Sequence, residues 1–130
     1  MSAGLVFADT DVIIDFFNGV EPMASLVEDL IIARRLRLSA VAVFELKAGV
    51  IGSRRMQAID RLLKVVPTEP FGAPEATLAA SQYTTLKQKG RAIGNGDLMI
   101  AATCLQANAP LLTRNLKHFK RVDGLQLHLA

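Results

Sequence analysis

Four side chains have the type and spacing to do chemistry together: Asp9, Glu45, Asp97 and Asn115. Asp9 stands in Phe7-Ala8-Asp9-Thr10-Asp11, directly after the apolar run Leu5-Val6-Phe7, and so falls at the end of an expected buried strand. In an open parallel sheet ligands gather outside the carboxyl ends of the strands. A carboxylate there suits a hard cation such as Mg²⁺, which prefers oxygen ligands. Taken alone, Asp9 or Thr10 reads first as the cap of the next helix. Glu45 lies one turn into the helix expected after strand two, with Val41, Ala42, Ala48 and Gly49 as its helical neighbours. An isolated carboxylate on so small and apolar a face is costly unless paired or metal-bound, the other reading being an exposed Glu on its rim. Asp97 follows Gly94-Asn95-Gly96 and opens the apolar run Leu98-Met99-Ile100-Ala101-Ala102. A helix dipole alone would account for a carboxylate there. Asn115 follows strand four, in Leu111-Leu112-Thr113-Arg114-Asn115, and puts a neutral amide where a fourth oxygen ligand would stand.

Each of these residues follows a strand or opens a helix beside one, so a doubly wound fold brings them to one edge. Converging carboxylates repel: two charges about 4 Å apart cost roughly 4 kcal/mol at an effective dielectric near 20. Three of them need protons or a divalent cation, and an all-oxygen set suits Mg²⁺ or Mn²⁺. The chain has no Ser-His-Asp pattern, Walker loop or Gly-x-Gly-x-x-Gly, and two histidines, His118 and His128, are too few and too late for a zinc site. A haloacid-dehalogenase phosphatase would need a Thr, a Lys and an acidic pair in an order this chain lacks. A receiver domain would need an Asp after strand three, where Val65-Val66-Pro67-Thr68 has none.

The elements that must position these residues alternate. Strands are expected at Leu5–Ala8, Leu36–Ser39, Val65–Thr68 and Pro110–Thr113, with a fifth at an edge, Leu125–Leu129. Helices are expected over Asp11–Phe17, Pro22–Ala33, Val41–Ile51, Ser53–Lys64, Pro74–Lys89 and Asp97–Ala107. Strands alternating with helices argue for an α/β fold with a parallel sheet covered on both faces.

At 130 residues, the chain fits one domain, and 51% hydrophobic against 21% charged residues excludes a disordered chain. One cysteine, Cys104, excludes an internal disulfide framework. With no exporting signal visible, a cytoplasmic location is expected. No apolar stretch reaches the roughly 20 residues of a membrane span. The net charge of +3 gathers at Arg34, Arg35 and Arg37, at Arg54 and Arg55, from Lys87 to Arg91, and from Arg114 to Arg121. Such patches permit a nucleic-acid partner without requiring one.

Four blocks in order resemble the PIN-domain family, and within it the VapC-type toxins of bacterial toxin–antitoxin pairs. They are Asp9-Thr10-Asp11-Val12; Ser39-Ala40 with Phe44-Glu45-Leu46-Lys47-Ala48-Gly49; Ile93 to Ala102; and Leu112 to Val122 followed by Gly124-Leu125. The resemblance spans nearly the whole chain and implies a single PIN domain over 1–130. The implied fold is a three-layer α/β/α sandwich with a central parallel sheet of four to five strands. The implied activity is that of a Mg²⁺-dependent endoribonuclease, with Mn²⁺ as a substitute, cleaving RNA phosphodiester bonds through metal-activated water. Asp9, Glu45 and Asp97 would be the metal ligands. Asn115 would be the fourth catalytic position, one charge short of the family's usual acid. Thr113 and Asp11 would stand behind the ligands, Asp11 also as a helix cap, and Asp15 would hydrogen-bond nearby. Arg114, Lys117 and His118 would flank the site, where they could hold RNA backbone; for His118 a packing or surface role is expected first, and Phe119 is expected to be core. The implied partners are a cognate antitoxin, a second copy in a homodimer or toxin–antitoxin hetero-oligomer, and operator DNA only through the antitoxin. The apolar residues Met23, Leu26, Leu30, Ile59, Leu62 and Leu63 are expected mostly as core, with part of that surface left for an antitoxin segment. The alternative to an active nuclease is a PIN domain weakened at Asn115 that acts mainly as an antitoxin-bound corepressor.

Overall fold

The computed structural model describes residues 4–128. Strand β1 (Val6–Ala8) is fully buried and alternates between two cores: Val6 and Ala8 pack on one face of the sheet and Phe7 on the other. That period of two lets a run of only apolar residues cover both faces at once. The chain continues through α1 (Thr10–Asn18), α2 (Met23–Ile32), β2 (Leu36–Ser39), α3 (Ala40–Ala48), α4 (Ser53–Val65) and β3 (Thr68–Glu69). Then follow α5 (Ala73–Gln88), α6 (Asn95–Ala107), β4 (Leu111–Leu112) and α7 (Leu116–Phe119). The strands form one four-stranded sheet in the order β3-β2-β1-β4, with every pair parallel. Val12 and Ile13 of α1, Val27 and Leu30 of α2 and Ile59 and Leu62 of α4 fill one core. Leu98, Ile100, Ala101 and Cys104 of α6 fill the other with Leu86 and Phe119.

The order matters for function. From β1 the chain steps outward to β2 and β3, then returns to place β4 on the opposite side of β1. The reversal leaves a crevice outside the carboxyl ends of β1 and β4, where doubly wound folds bind ligands.

Several expected boundaries move. Helix α4 keeps its apolar period through Val65 and is stopped by Pro67, so β3 starts only at Thr68. The fifth strand is reduced to a single parallel bridge between Leu111 and Leu127, held by the amides of Leu111 and His128; Leu129 lies outside the described residues. Helix α3 stops at Ala48, before Gly49 and Gly52, short of the expected Ile51. Asp9, not Asp11, is the cap of α1: its carboxylate accepts from the Thr10 amide, and Asp11 sits inside the first turn. Helix α6 starts two residues early, at Asn95. The short α7 follows directly on Asn115. Among the described residues, no helix is long and apolar enough to cross a membrane.

Candidate active site

Asp9 leaves the end of β1 into the crevice and is only 6% exposed. One carboxylate oxygen accepts from the Thr10 amide at 2.8 Å and the other from the Thr113 hydroxyl at 2.8 Å. Thr113 follows β4, so this second bond ties the two strand ends across the point where the sheet order reverses. The same hydroxyl accepts from the Asn115 amide at 2.9 Å, which fixes the loop after β4. Burial, then the charge of Asp11, pushes the Asp9 carboxyl up to about 7 against the pull of its two hydrogen bonds, with Asp97 adding to the rise.

Glu45 reaches the same end of the sheet from α3. Its Oε1 accepts from the Thr10 hydroxyl at 2.7 Å, and its Oε2 faces Gly96 in the first turn of α6. Asp97, the next residue of α6, is half-buried. Burial and then the neighbouring Glu45 raise its carboxyl above the usual carboxylate range, while His118 opposes the rise. The three expected ligands thus meet at one end of the sheet and feel one another's charge.

They do not close into a ready cage. Among the described residues, no three His, Cys, Asp or Glu side chains stand close enough to hold one ion as placed. The hydroxyls of Thr10 and Thr113 occupy one oxygen of Glu45 and one of Asp9, and Asp97 leans towards His118. The donor chemistry nevertheless fits a hard divalent ion. It is all carboxylate oxygen, burial and then neighbouring negative charge raise the Asp9 and Asp97 carboxyls in a way a cation would offset, and Oδ1 of Asp11 is buried without a hydrogen-bond partner.

The outer side of the site is built on α7 and the loop before it. His118, expected to flank the site, is partly exposed there: its Nδ1 lies 2.9 Å from Asn115 Nδ2 and 3.8 Å from Asp97 Oδ2. Asn115 and His118 are three apart at the start of a helix and therefore share a face. Arg114 turns inward to Asp15 at 3.1 Å and Asp11 at 3.7 Å, pinning the loop after β4 to α1. Burial raises the Asp11 carboxyl, and Arg114 opposes that rise. Lys117 is exposed, and Phe119 is fully buried as expected. Of the apolar residues considered for a partner, Leu30, Ile59 and Leu62 are core, and Met23, Leu26 and Leu63 pack against it half-buried.

Comparison with known proteins agrees with this geometry. The PIN domain family matches residues 6–125. The chain is 33% identical to Ribonuclease VapC1 of Haemophilus influenzae over 123 residues, covering 91% of this chain and 92% of that protein. It is 34% identical to Ribonuclease VapC2 of Rickettsia felis over 116 residues, covering 86% and 81%. Among solved structures, VapBC2 from Rickettsia felis bound to a DNA fragment from its promoter superposes with a TM-score of 0.84 at 28% identity, covering 95% of this chain and 97% of that one. With the strand order, the carboxylates at the sheet reversal and these relatives in agreement, the chain belongs to the PIN-domain family as a VapC-type member.

Proposed function

We propose that the protein is a Mg²⁺-dependent endoribonuclease toxin held in check by a cognate antitoxin. The observation that carries the reading is Asp9: a buried carboxylate at the sheet reversal, flanked by Asp11 and Asp97, with its carboxyl pushed up to about 7. Asp9, Glu45 and Asp97 are the residues to hold the cation, with Asn115 beside them. When bound, a divalent ion supplies the positive charge that activates water and offsets charge on the phosphate in the transition state.

The chain's own groups do the rest. Thr113 holds Asp9 and Thr10 holds Glu45, which limits how far either carboxylate moves in closing on a cation. Asp97 is half-buried, with a carboxyl raised by burial and then by Glu45, and one carboxylate of the set accepts a proton from water. Arg114 positions the loop through Asp11 and Asp15, and exposed Lys117 is a cation close by in the chain, without an ion-pair partner among the described residues, that would meet RNA backbone.

The antitoxin reading rests on relatives solved as VapBC pairs and on two grooves. One, of about 340 Å³, runs from Ile14 and Glu45 to Ile51 and Arg55. The other, of about 360 Å³, is lined by Phe16, Phe17, Ala58 and Val65. An apolar segment with a basic side chain laid along them would reach Glu45 and silence the site. In this reading a second copy completes a dimer, and operator DNA is contacted through the antitoxin.

The test is to free the protein from its antitoxin and incubate it with total RNA in Mg²⁺, Mn²⁺ or EDTA. Cleavage that requires metal and is lost by more than ~100-fold in Asp9→Asn supports the reading, since losing a ligand exceeds the 10–100-fold typical of a group behind one. Folded, metal-binding protein that cuts no RNA and arrests no cells overturns it in favour of a corepressor.

A further inference from the structure

Gly96 is the second residue of α6 and lies inside the helix, with no positive φ to call for glycine. Glycine is among the poorest helix formers, so its presence there needs another cause. A Cβ at this position would stand 2.5 Å from Glu45 Oε2 and 3.7 Å from Glu45 Cδ. Apart from its own helix and chain neighbours, nothing else among the described residues comes within 4 Å of it. The missing side chain therefore makes room for one group, and that group is a carboxylate of the proposed metal site.

Thr10 closes the opposite side. As the first residue of α1 it donates its hydroxyl to Glu45 Oε1 at 2.7 Å. The Glu45 carboxylate is thus held between the start of α1 and the first turn of α6, where unpaired helix N–H groups favour negative charge. We propose that Thr10 and Gly96 are positioning residues that form a slot for the Glu45 carboxylate, setting its distance from Asp97 and through it the grip on a divalent cation. This deepens the metal-dependent reading above and rests on it for its consequence.

The atom that a new Cβ would meet is the end of a flexible side chain, not backbone. Replacing Gly96 therefore moves Glu45 and leaves the fold intact. A site role predicts opposite movements of stability and metal binding, whereas a packing role predicts that both fall together.

Gly96→Ala should keep or raise the Tm of the metal-free protein while weakening Mn²⁺ binding about tenfold, read by the low-temperature signal of free Mn²⁺. Thr10→Val should weaken it similarly and Thr10→Ser should restore it. Gly96→Ala combined with Glu45→Gln should bind no worse than Glu45→Gln alone. In the metal-free protein, the Glu45 carboxyl-carbon resonance, assigned through Glu45→Gln, should move in Gly96→Ala and Thr10→Val and stay put in Thr10→Ser. An unmoved resonance in Gly96→Ala, or Mn²⁺ binding equal to that of the unaltered protein, overturns the slot. If the unaltered protein binds no Mn²⁺, the metal reading fails, and the resonance alone decides the slot.

Discussion

Asp9 and Asp97 stand at the same end of the sheet and carry the same side chain, yet their surroundings differ. Asp9 belongs to an inner half built on strand ends. It is buried, both its oxygens are engaged, and its partner Thr113 is itself only 4% exposed. Asp97 belongs to an outer half built on a helix start and a loop, where Asn115 and His118 are only partly buried. The inner half is buried and hydrogen-bonded on both Asp9 oxygens; the outer half is more open to solvent. The inner half should therefore govern whether a cation binds at all, and the outer half how tightly and with what preference.

The largest effect expected from breaking this division is on Asp9 in the metal-free protein. The folded chain keeps a proton on Asp9 up to about pH 7, while the unfolded chain loses it near 3.8. Between those values the folded state holds more protons, so stability falls as pH rises, by up to about 4 kcal/mol from this group. Thermal melts in EDTA should show a lower Tm at pH 8 than at pH 5. Mg²⁺ should restore Tm at pH 8 and do little at pH 5, where Asp9 is protonated. Asp9→Asn should flatten the profile and raise the metal-free Tm at pH 8 while abolishing cleavage. A flat profile in the unaltered protein would remove the distinction between the halves.

A smaller effect tests whether the inner half owes its order to the bond across the sheet reversal. Thr113→Val keeps the shape but removes the hydroxyl that donates to Asp9 and accepts from the Asn115 amide. Cleavage should fall about 10–100-fold, the usual cost of losing a group behind a metal ligand. Thr113→Ser should recover most of it. If Val and Ser behave alike, the hydroxyl does not position Asp9.

Much of the inner half was legible in the sequence, and the reason is geometric. Asp9 follows an apolar run, and Glu45 has small apolar helical neighbours, although Ala48 and Gly49 are exposed and put it on the rim of that face. Both facts are local. The bonds that order them are not: Thr10 to Glu45 spans 35 residues and Thr113 to Asp9 spans 104. No periodicity reports a contact between side chains so far apart. The outer half is legible in placement and not in contacts. The sequence puts Arg114 and His118 beside the site, but the partners of Arg114, Asp11 and Asp15, lie on α1, far away in the chain. Strand three was misplaced for a third reason: the residues Val65 and Val66 suit a strand as well as a helix end, and only the packing of α4 decides between them.

Asn115 offers the mildest and most diagnostic change. Its amide nitrogen donates towards His118 Nδ1 at 2.9 Å, and His118 in turn lies 3.8 Å from Asp97. Asn115→Asp replaces that donor with a carboxylate that has no N–H to give His118, and it adds negative charge to the rim of the site. Mg²⁺ affinity should rise about threefold to tenfold for an exposed charge in a high-dielectric setting. Calorimetric Mg²⁺ titrations of the unaltered and Asn115→Asp proteins measure the gain. No gain would show that position 115 does not face the cation and that the outer half ends at Asp97.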